Sequence, residues 1–317
     1  MKIGVDIMGG DFAPSEITLG AIAALAELSP DVRLVLFGDE NAILDIFKAE
    51  GADPSRVDII PTTEVIAMDE SPSRAISQKP DSSISRGFEY LKAGKIDAFA
   101  SAGNSGAMMV GAMFSVKTIP GILRPAICSV IPKEDGSWGL FLDAGANADC
   151  KPEMLQQFAI LGSLFLEHVY GVPYPKVGLM NIGEEEEKGN MLAQAAHPLL
   201  KACKDITFVG NVEGRDLFNN KADVIVCDGF TGNVILKLAE SFYSLIRKRR
   251  IKDEYFDRFN YENYGGTPVL GVNAPVIIAH GISNAKAIKN MIHITQRVTA
   301  ARLSEKISQA IQESITN

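Results

Sequence analysis

Short apolar runs and helical patterns alternate along most of this chain, and this alternation constrains its fold more than any other feature. The apolar runs are rich in valine, isoleucine and leucine, and most of them end near a glycine. We read strands at 2–7, 32–38, 57–60, 97–101, 176–182 and 223–227, and helices near 15–28, 39–50, 84–94, 104–118, 190–203 and 232–247. Such strand–helix–strand repeats are typical of a parallel sheet with crossover helices. The pattern predicts a doubly wound, three-layer α/β/α fold with a mostly parallel sheet.

One segment, 125–143, departs from this alternation. It contains two strand-like runs around Asp135-Gly136, a dipeptide typical of tight hairpin turns, and it predicts an antiparallel hairpin. The tail from Ser283 to about Ser314 predicts one long helix, either continuous or broken. Since the 317 residues contain no fixed-period repeat and no low-complexity linker, we expect one α/β unit over 1–317, made of two intertwined lobes. The segment 236–264 is predicted to protrude from it as a helical segment.

Composition and motifs exclude several classes of protein. A net charge of −8 argues against nucleic-acid binding, because a phosphate backbone is held mainly by lysine and arginine. No apolar run reaches the ~18 residues of a membrane span, and the N-terminus has no secretory pattern. The scattered cysteines form no CxxC pair and share no ligand spacing with the histidines, so we expect a reduced cytoplasmic protein without a metal.

Six loops that follow predicted strands combine small residues with aspartate or asparagine. They read "DIMGGD" (6–11), "SAGNSGA" (101–107), "LDAGAN" (142–147), "NIGEEEEKGN" (181–190), "GNVEGRD" (210–216) and "CDGFTGN" (227–233). Ligands of open α/β sheets bind beyond the carboxyl ends of strands, and backbone N–H groups at helix starts attract anions. The six loops together favour a cleft for a small anion, with "SAGNSGA" as the best cradle. No GxGxxG or GxxxxGK[ST] motif is present, so no nucleotide cofactor is expected.

Two charged residues in these loops are candidates for a reaction. Lys188 follows four glutamates; it is either a surface ion pair worth ~0–1 kcal/mol or a lysine directed at an anion. The glutamates themselves could complement a helix start or bind magnesium. Asp228 ends an apolar strand, where a carboxylate needs a partner, so it is either a helix cap or a reactive acid. Cys227 beside it is interpreted as a small buried hydrophobe.

Other polar residues leave two interpretations open. His280 either faces a ligand or only hydrogen-bonds within its loop, and Arg124 either clamps an anion or pairs with a carboxylate. An amphipathic segment ends in a basic run, Arg247, Lys248, Arg249 and Arg250. In an acidic protein this run suggests an acidic macromolecular partner or an anionic membrane surface, although a solvated helix end gives the same pattern.

Taken in order, several stretches resemble one family over essentially the whole chain. They are "VDIMGGDFAP", "SAGNSGAMM", "RPA", "LDAGANAD", "VGLMNIGEEEEKGN", "GNVEGRD", "VCDGFTGNVILK" and "YGGTPVLGV". The family is that of the bacterial phosphate acyltransferases (PlsX) of phospholipid synthesis. The resemblance implies a homodimer with a fold like isocitrate dehydrogenases and phosphotransacetylases. It also implies transfer of a long fatty acyl group from acyl carrier protein to inorganic phosphate, with a glycerol-3-phosphate acyltransferase acting downstream.

By this resemblance Lys188 and Asp228 fall on the family's catalytic lysine and aspartate. Phosphate is already a nucleophile, so the expected task is to hold it, align it with a thioester and stabilise the oxyanion. The glutamates are expected to keep Lys188 charged and positioned, while Asp228 orients Lys188 or accepts a proton. Phosphate or substrate is expected at Gly10, Asp11, Ser101, Asn104, Ser105, Gly106, Arg124, Asn147, Asn181, Asn190, Thr231, Asn233 and His280, and the carrier protein at the basic run.

The chain departs from the family pattern at two places. Phe12 stands where the family commonly has histidine, so no essential base is placed there. The segment before Tyr264 is short and lacks the apolar stretch that forms a membrane-touching tip in many relatives, which leaves only a weak peripheral contact with the inner face of the membrane open. The competing functions are a phosphotransacetylase that uses coenzyme A thioesters and a non-catalytic regulator that binds acyl groups or anions.

Overall fold

The computed structural model describes residues 1–316, with side chains described to residue 313. Its strands are β1 Lys2–Asp6, β2 Arg33–Gly38, β3 Val57–Pro61, β4 Ala98–Ser101, β5 Ala126–Pro132, β6 Trp138–Leu142, β7 Lys176–Met180, β8 Thr207–Val212, β9 Val224–Val226, β10 Thr267–Leu270 and β11 Val276–Ile278. Its helices are α1 Ser15–Glu27, α2 Glu40–Ala49, α3 Pro72–Gln78, α4 Ser83–Lys92, α5 Ser105–Gly111, α6 Pro152–Phe165, α7 Met191–Ala202, α8 Gly229–Lys248, α9 Glu254–Asp257, α10 Ala285–Ala300 and α11 Leu303–Thr316.

The chain folds into two compact units, each built from two separate stretches of sequence. Unit 1 contains residues 1–118 and 261–302, and unit 2 contains residues 119–260 and helix α11. The expectation of intertwined lobes with a protruding segment at 236–264 stays a prediction. In the described part of the chain, no helix is both long and apolar enough to cross a membrane.

Unit 1 holds a sheet in the order β3-β2-β1-β4-β11-β10. All neighbouring strands run parallel except β10, which is antiparallel to β11. Strands β1 and β2 are buried on both faces, which explains why their sequences are continuous apolar runs instead of alternating patterns. Three aromatic rings, Phe37, Phe99 and Phe88, pack edge to face in the core with centroids 5.8 and 5.2 Å apart.

Unit 2 holds a sheet in the order β5-β6-β9-β7-β8, parallel except for β5. The predicted antiparallel hairpin is confirmed as β5 and β6. Its turn is closed by Asp135, whose carboxylate accepts the Ser137 N–H at 2.9 Å. Below the turn a buried ion pair joins Lys133 to Asp223 at 2.6 Å. The mostly parallel, doubly wound α/β class predicted from the sequence is confirmed in both units.

The helices differ from the predicted ones in several places. The helix expected near 104–118 is α5 followed by a π-helical turn at Ala112–Val116. Of the two alternatives for the C-terminal helix, the broken one is correct, because Arg302 takes a left-handed conformation with φ of 51° between α10 and α11. Helix α6 had no amphipathic signal, since it is buried on most of its circumference. Helix α8 begins three residues before the predicted start, directly after Asp228.

Candidate functional site

In unit 1 the carboxyl ends of β1, β4 and β11 meet at one edge of the sheet, because these neighbouring strands are parallel. The loops that follow them contact one another. The Asp11 N–H donates to the Gly281 carbonyl at 2.8 Å, and Gly10 lies against the carbonyl groups of Ala102 and Gly281. His280 packs its ring on Tyr261, with centroids 5.2 Å apart. The structure therefore brings the loop of Gly10 and Asp11 against the loop that contains His280.

A buried carboxylate, Asp6, supports these loops. The Ser101 hydroxyl donates to Asp6 at 2.6 Å and accepts the Gly103 N–H at 2.8 Å, so Ser101 links strand end to loop. Burial raises the pKa of Asp6 above the usual carboxyl range, against the opposing effect of its hydrogen bonds. Ser101 was among the predicted site residues, whereas Asp6 was not. The available signal was a carboxylate closing an otherwise buried strand.

The Asn104 side chain holds two segments of unit 1 together. Its amide nitrogen donates to the carbonyls of Ala67, Met68 and Glu70 at 3.0, 3.2 and 3.0 Å. Its amide oxygen accepts the Ala107 N–H at 2.9 Å and so caps α5. The Asn104 amide thus positions the loop, and its neighbours Ser105, which is exposed, and Gly106, which is half-buried, form the loop surface.

In unit 2 a second buried carboxylate, Asp143, organises the loop after β6. It accepts the backbone N–H groups of Ile127, Gly145, Ala146 and Asn147, and also the Asn147 side-chain amide at 2.9 Å. Burial raises the pKa of Asp143 despite these hydrogen bonds. The Asn147 amide donates in addition to the Pro125 carbonyl at 2.8 Å. Arg124 precedes this proline and is exposed beside the loop.

The start of α8 packs on this loop. The Gly229 N–H donates to the Asn147 carbonyl at 2.7 Å, and the Asn233 amide donates to the Ala144 carbonyl at 3.3 Å. Asp228 caps the helix: one carboxylate oxygen accepts the Thr231 N–H and the other accepts the Thr231 hydroxyl, both at 2.8 Å. The helix-cap interpretation of Asp228 is therefore correct, and the half-buried carboxylate remains open to a reactive role.

Cysteine chemistry is not supported at this loop. Cys227 is buried, and burial raises the pKa of its thiol well above the usual value. Burial likewise raises the pKa of Cys150 to about 11. Both thiols therefore stay protonated at neutral pH. Since only the thiolate is a strong nucleophile, neither cysteine is suited to nucleophilic attack. The interpretation of Cys227 as a small buried hydrophobe agrees with its environment.

Two of the four glutamates before Lys188 pair with other cations. Glu184 pairs with Lys221 at 2.7 Å, and Glu186 pairs with Lys201 at 2.5 Å. Among the residues that the structure describes, Lys188 forms no ion pair, and its side chain is exposed. The expectation that these glutamates hold Lys188 is therefore wrong. The reason is geometric, since consecutive exposed side chains point in different directions and meet whichever cation lies nearest.

Hydrogen bonds to the backbone hold the Lys188 loop instead. The Asn181 amide donates to the Lys188 carbonyl at 3.1 Å, and the Lys188 N–H donates to the Glu185 carbonyl at 3.1 Å. Asn190 caps α7 by accepting the Ala193 N–H at 2.9 Å. Asn181 and Asn190 thus fix the two ends of the loop. The ammonium group of Lys188 extends from an anchored backbone.

Lys188 and Asp228 follow neighbouring parallel strands, β7 and β9, so both lie at the same edge of the unit 2 sheet. Within residues 1–316 the structure shows no hydrogen bond or ion pair between the two side chains. The remaining candidates of unit 2, Arg124, Asn147, Asn181, Asn190, Thr231 and Asn233, lie at this edge as well. The edge therefore combines an exposed cation, a carboxylate and a set of amide groups.

One acidic cluster was not predicted. Carboxylate oxygens of Glu184, Glu213 and Asp216 lie within 4.8 Å of one another. Lys221 pairs with Glu184 and Asp216, and Arg215 pairs with Glu184 and Glu213. These two cations neutralise much of the negative charge, so the cluster is explained as an ion-pair network. The expected absence of a metal stays a prediction.

The basic run lies at the end of α8. Arg247 and Lys248 are in its last turn, Arg249 and Arg250 follow, and all four are exposed. Earlier in the helix, exposed apolar side chains recur every fourth residue, at Phe230, Val234, Leu238 and Phe242. This spacing places them on one helix face.

The chain is similar to known proteins over most of its length. A family model described as "Fatty acid synthesis protein" matches residues 1–306. A protein named phosphate acyltransferase from Halothermothrix orenii is 45% identical over 334 aligned residues, which cover 99% of each chain. The chain belongs to the phosphate acyltransferase family. Another phosphate acyltransferase family member, from Dictyoglomus thermophilum, is 42% identical and covers 99% of this chain and 98% of its own.

Solved structures of other proteins share the fold of this chain. A phosphotransacetylase from Streptococcus pyogenes superimposes with a TM-score of 0.66, covering 95% of this chain and 94% of its own. At 17% sequence identity this similarity shows a shared fold and nothing about substrates. The phosphotransacetylase-like fold expected from the sequence is thereby confirmed.

Proposed function

We propose that the protein transfers a long-chain fatty acyl group from acyl carrier protein to inorganic phosphate and so forms acyl phosphate for phospholipid synthesis. The observation that carries this proposal is the match, over 99% of the chain, to relatives named phosphate acyltransferase. The exposed Lys188 on an anchored loop supports it, because an unpaired ammonium group is suited to binding a small anion. A glycerol-3-phosphate acyltransferase would then transfer the acyl group from acyl phosphate to glycerol-3-phosphate, the first of the two acylations that lead to phosphatidic acid.

The proposed reaction needs no covalent enzyme intermediate. A phosphate oxygen attacks the thioester carbonyl carbon, the carbon–sulfur bond breaks, and the carrier sulfur leaves as a thiolate that takes up the proton lost by phosphate. Lys188 would neutralise the phosphate and the developing oxyanion through its ammonium group. Asp228 would accept the proton of dihydrogen phosphate with an oxygen that the Thr231 hydroxyl also contacts.

Incubation of the protein with a fatty acyl carrier-protein thioester and phosphate tests this proposal. The expected products are free carrier thiol and acyl phosphate, which hydroxylamine traps as a hydroxamate. Faster turnover of short-chain coenzyme A thioesters would identify a phosphotransacetylase. Binding without release of thiol would identify a non-catalytic regulator.

We propose further that the exposed basic run at 247–250 docks the acidic carrier protein. Complementary charge mainly accelerates such encounters and gives them specificity. A weak contact with anionic lipid at the inner face of the membrane is the competing use of the same cations in a cytoplasmic protein. Sedimentation with anionic vesicles, with and without carrier protein, separates the two uses.

We also propose a homodimer, as the family resemblance implies. The exposed apolar face of α8, formed by Phe230, Val234, Leu238 and Phe242, supports it, because a soluble protein usually covers such a face. Leu238→Glu is expected to shift the sedimentation coefficient towards that of a monomer, whereas an unchanged value would exclude this helix face as the interface.

A further inference from the structure

Strand β8 contains an irregularity opposite β7. Val177 of β7 pairs with Phe208, and Leu179 pairs with Asn211, so β8 has one residue more than β7 between these two positions. Gly210 lies within this bulge with φ of 93° and no atom within 4 Å of the place of a Cβ. Since glycine adopts positive φ without the steric cost that other residues incur, the bulge depends on Gly210.

The bulge changes the direction of Asn211. In an unbroken strand Asn211 would share a face with Thr207 and Val209, both of which are exposed. An extra residue shifts the alternation by one, and β-bulges commonly redirect a side chain in this way. Asn211 is accordingly buried, with 2% of its surface exposed.

The redirected side chain contacts the backbone of the Lys188 loop. The Asn211 amide nitrogen donates to the Glu185 carbonyl at 2.7 Å, and the same carbonyl accepts the Lys188 N–H at 3.1 Å. Asn181 holds the Lys188 carbonyl from the other side at 3.1 Å. Asn181 thus contacts the Lys188 carbonyl directly, and Asn211 supports the Lys188 N–H through the Glu185 carbonyl that both groups share.

The Asn211 amide oxygen, unlike its nitrogen, is not satisfied within residues 1–316. This buried oxygen has no hydrogen-bond partner among the residues that the structure describes. A buried polar atom without a partner costs free energy, and native proteins contain few of them. An apolar residue would avoid this cost, so the donor to Glu185 is the feature that explains an asparagine here.

We infer that Asn211 is a positioning residue for Lys188. The bulge at Gly210 directs the Asn211 amide into the interior of unit 2, where it fixes the turn 185–188. The turn in turn fixes the backbone from which the Lys188 side chain extends. This inference rests on the proposed role of Lys188. It differs from a general contribution to stability, because it requires the effect of Asn211 on the reaction to pass through Lys188.

A double-mutant cycle measures this dependence. Asn211→Leu, which is similar in size and cannot donate, is expected to lower the rate of acyl-phosphate formation about tenfold, as judged from the usual worth of one hydrogen bond to a polar group. In a Lys188→Ala background the same change is expected to cost less than twofold. Asn290→Leu is the matched control, since the Asn290 amide donates to the Glu262 carbonyl at the same 2.7 Å in unit 1; it should leave the rate unchanged in both backgrounds.

Two further variants test the inference if the leucine variant folds poorly. Gly210→Ala leaves Asn211 in place but strains the bulge, and it should show the same non-additivity. Asn211→Asp can donate only when its buried carboxyl is protonated, so its rate relative to wild type should rise as pH falls.

Equal losses in the two backgrounds, or a pH-independent ratio for Asn211→Asp, would overturn the inference while leaving the role of Lys188 intact. Full activity of Lys188→Ala would overturn the role of Lys188 and this inference together.

Discussion

Asp228 serves the fold through both carboxylate oxygens, which cap α8 by accepting two groups of Thr231. Catalysis by the same carboxylate would depend on its charge, and capping depends on its acceptor oxygens. Asparagine keeps an acceptor and caps helices about as well as aspartate does. The two roles can therefore be separated by one isosteric substitution.

Asp228→Asn is expected to lower acyl-phosphate formation by about 100-fold, the range of a single general base, while the free energy of unfolding changes by less than about 0.5 kcal/mol. Rates and urea unfolding measure the two effects. Asp39→Asn is the matched control, because Asp39 caps α2 by accepting the Ala42 N–H at 3.1 Å. An active Asp228→Asn protein, whatever its stability, would leave Asp228 with the capping role alone.

Asp6 makes stability depend on pH in a defined direction. Its pKa is raised in the folded protein, so folding favours the protonated form. Its contribution to stability is complete below the unfolded pKa near 3.8 and is lost as pH rises through the raised value. The stability of wild type relative to Asp6→Asn should therefore fall as pH increases above about 4.

For Asp53→Asn, the stability of wild type relative to the variant should change with pH in the opposite direction, because the Ser55 side chain and N–H lower the pKa of Asp53. The advantage of wild type over that variant should grow as pH rises through the unfolded pKa. Denaturant unfolding between pH 3 and pH 8 measures both. Parallel pH profiles for the two variants would contradict the assigned state of Asp6.

At the scale of elements, helix α8 is placed by contacts with the loop after β6. Gly229 and Asn233 bind carbonyls of this loop, and Gly232 lies directly against it. A Cβ at Gly232 would lie 1.8 Å from the Asp143 carbonyl oxygen, closer than any non-bonded contact allows. The approach of α8 therefore requires glycine at this position.

Gly232→Ala should destabilise the protein by at least about 2 kcal/mol, as overpacking does, although alanine is the better helix former. The shift of α8 should also disturb the Asp228 cap and lower acyl transfer. Gly214→Ala is the control, since no atom lies within 4 Å of a Cβ there. Equal stability of the two variants, measured by urea unfolding, would show that α8 does not depend on this close approach.

Secondary structure was predicted well where neighbouring residues alone determine it. Strand β1 and the β5–β6 hairpin could be placed because apolar runs and turn residues are local properties. Helix α6 could not, since a helix surrounded by other elements has no apolar stripe. A break in the C-terminal helix was an open alternative, but its position at Arg302 could not be predicted, because nothing in the adjacent residues requires a left-handed conformation.

The candidate site was predicted only in part, because some of its features are local in the sequence and others are not. Loop signatures located Lys188 and Asp228, since glycine and polar residues at strand ends are visible in the sequence. The partners of these residues are distant in sequence. Asp6 and Asn211 bind loops 95 and 26 residues away, so only the folded chain reveals them. The assignment of the glutamates to Lys188 failed because sequence proximity was taken for contact.

At the scale of the whole molecule, charge is distributed unevenly. The chain carries a net charge of −8, yet Arg247, Lys248, Arg249 and Arg250 are consecutive and exposed. The overall charge repels an acidic carrier protein, so productive encounters require a local positive surface. The proposed docking surface at the end of α8 meets this need.

Arg249→Glu with Arg250→Glu should raise the KM for the carrier-protein thioester about tenfold or more and spare small thioester substrates, with a larger effect at low salt. Steady-state kinetics with both substrates measure the difference. Lys48→Glu with Lys92→Glu, at the ends of α2 and α4, is the control of equal charge change. Equal loss with both substrates would exclude docking at this surface.

The central claim is that Lys188 acts on phosphate from a loop anchored at the edge of the unit 2 sheet. Its most direct test is the rate of acyl-phosphate formation by Lys188→Ala beside Lys201→Ala, an exposed lysine paired with Glu186. We expect at least a 100-fold loss for Lys188→Ala, in keeping with loss of one preorganised charge, and a nearly normal rate for Lys201→Ala. Similar rates for the two folded variants would contradict the claim.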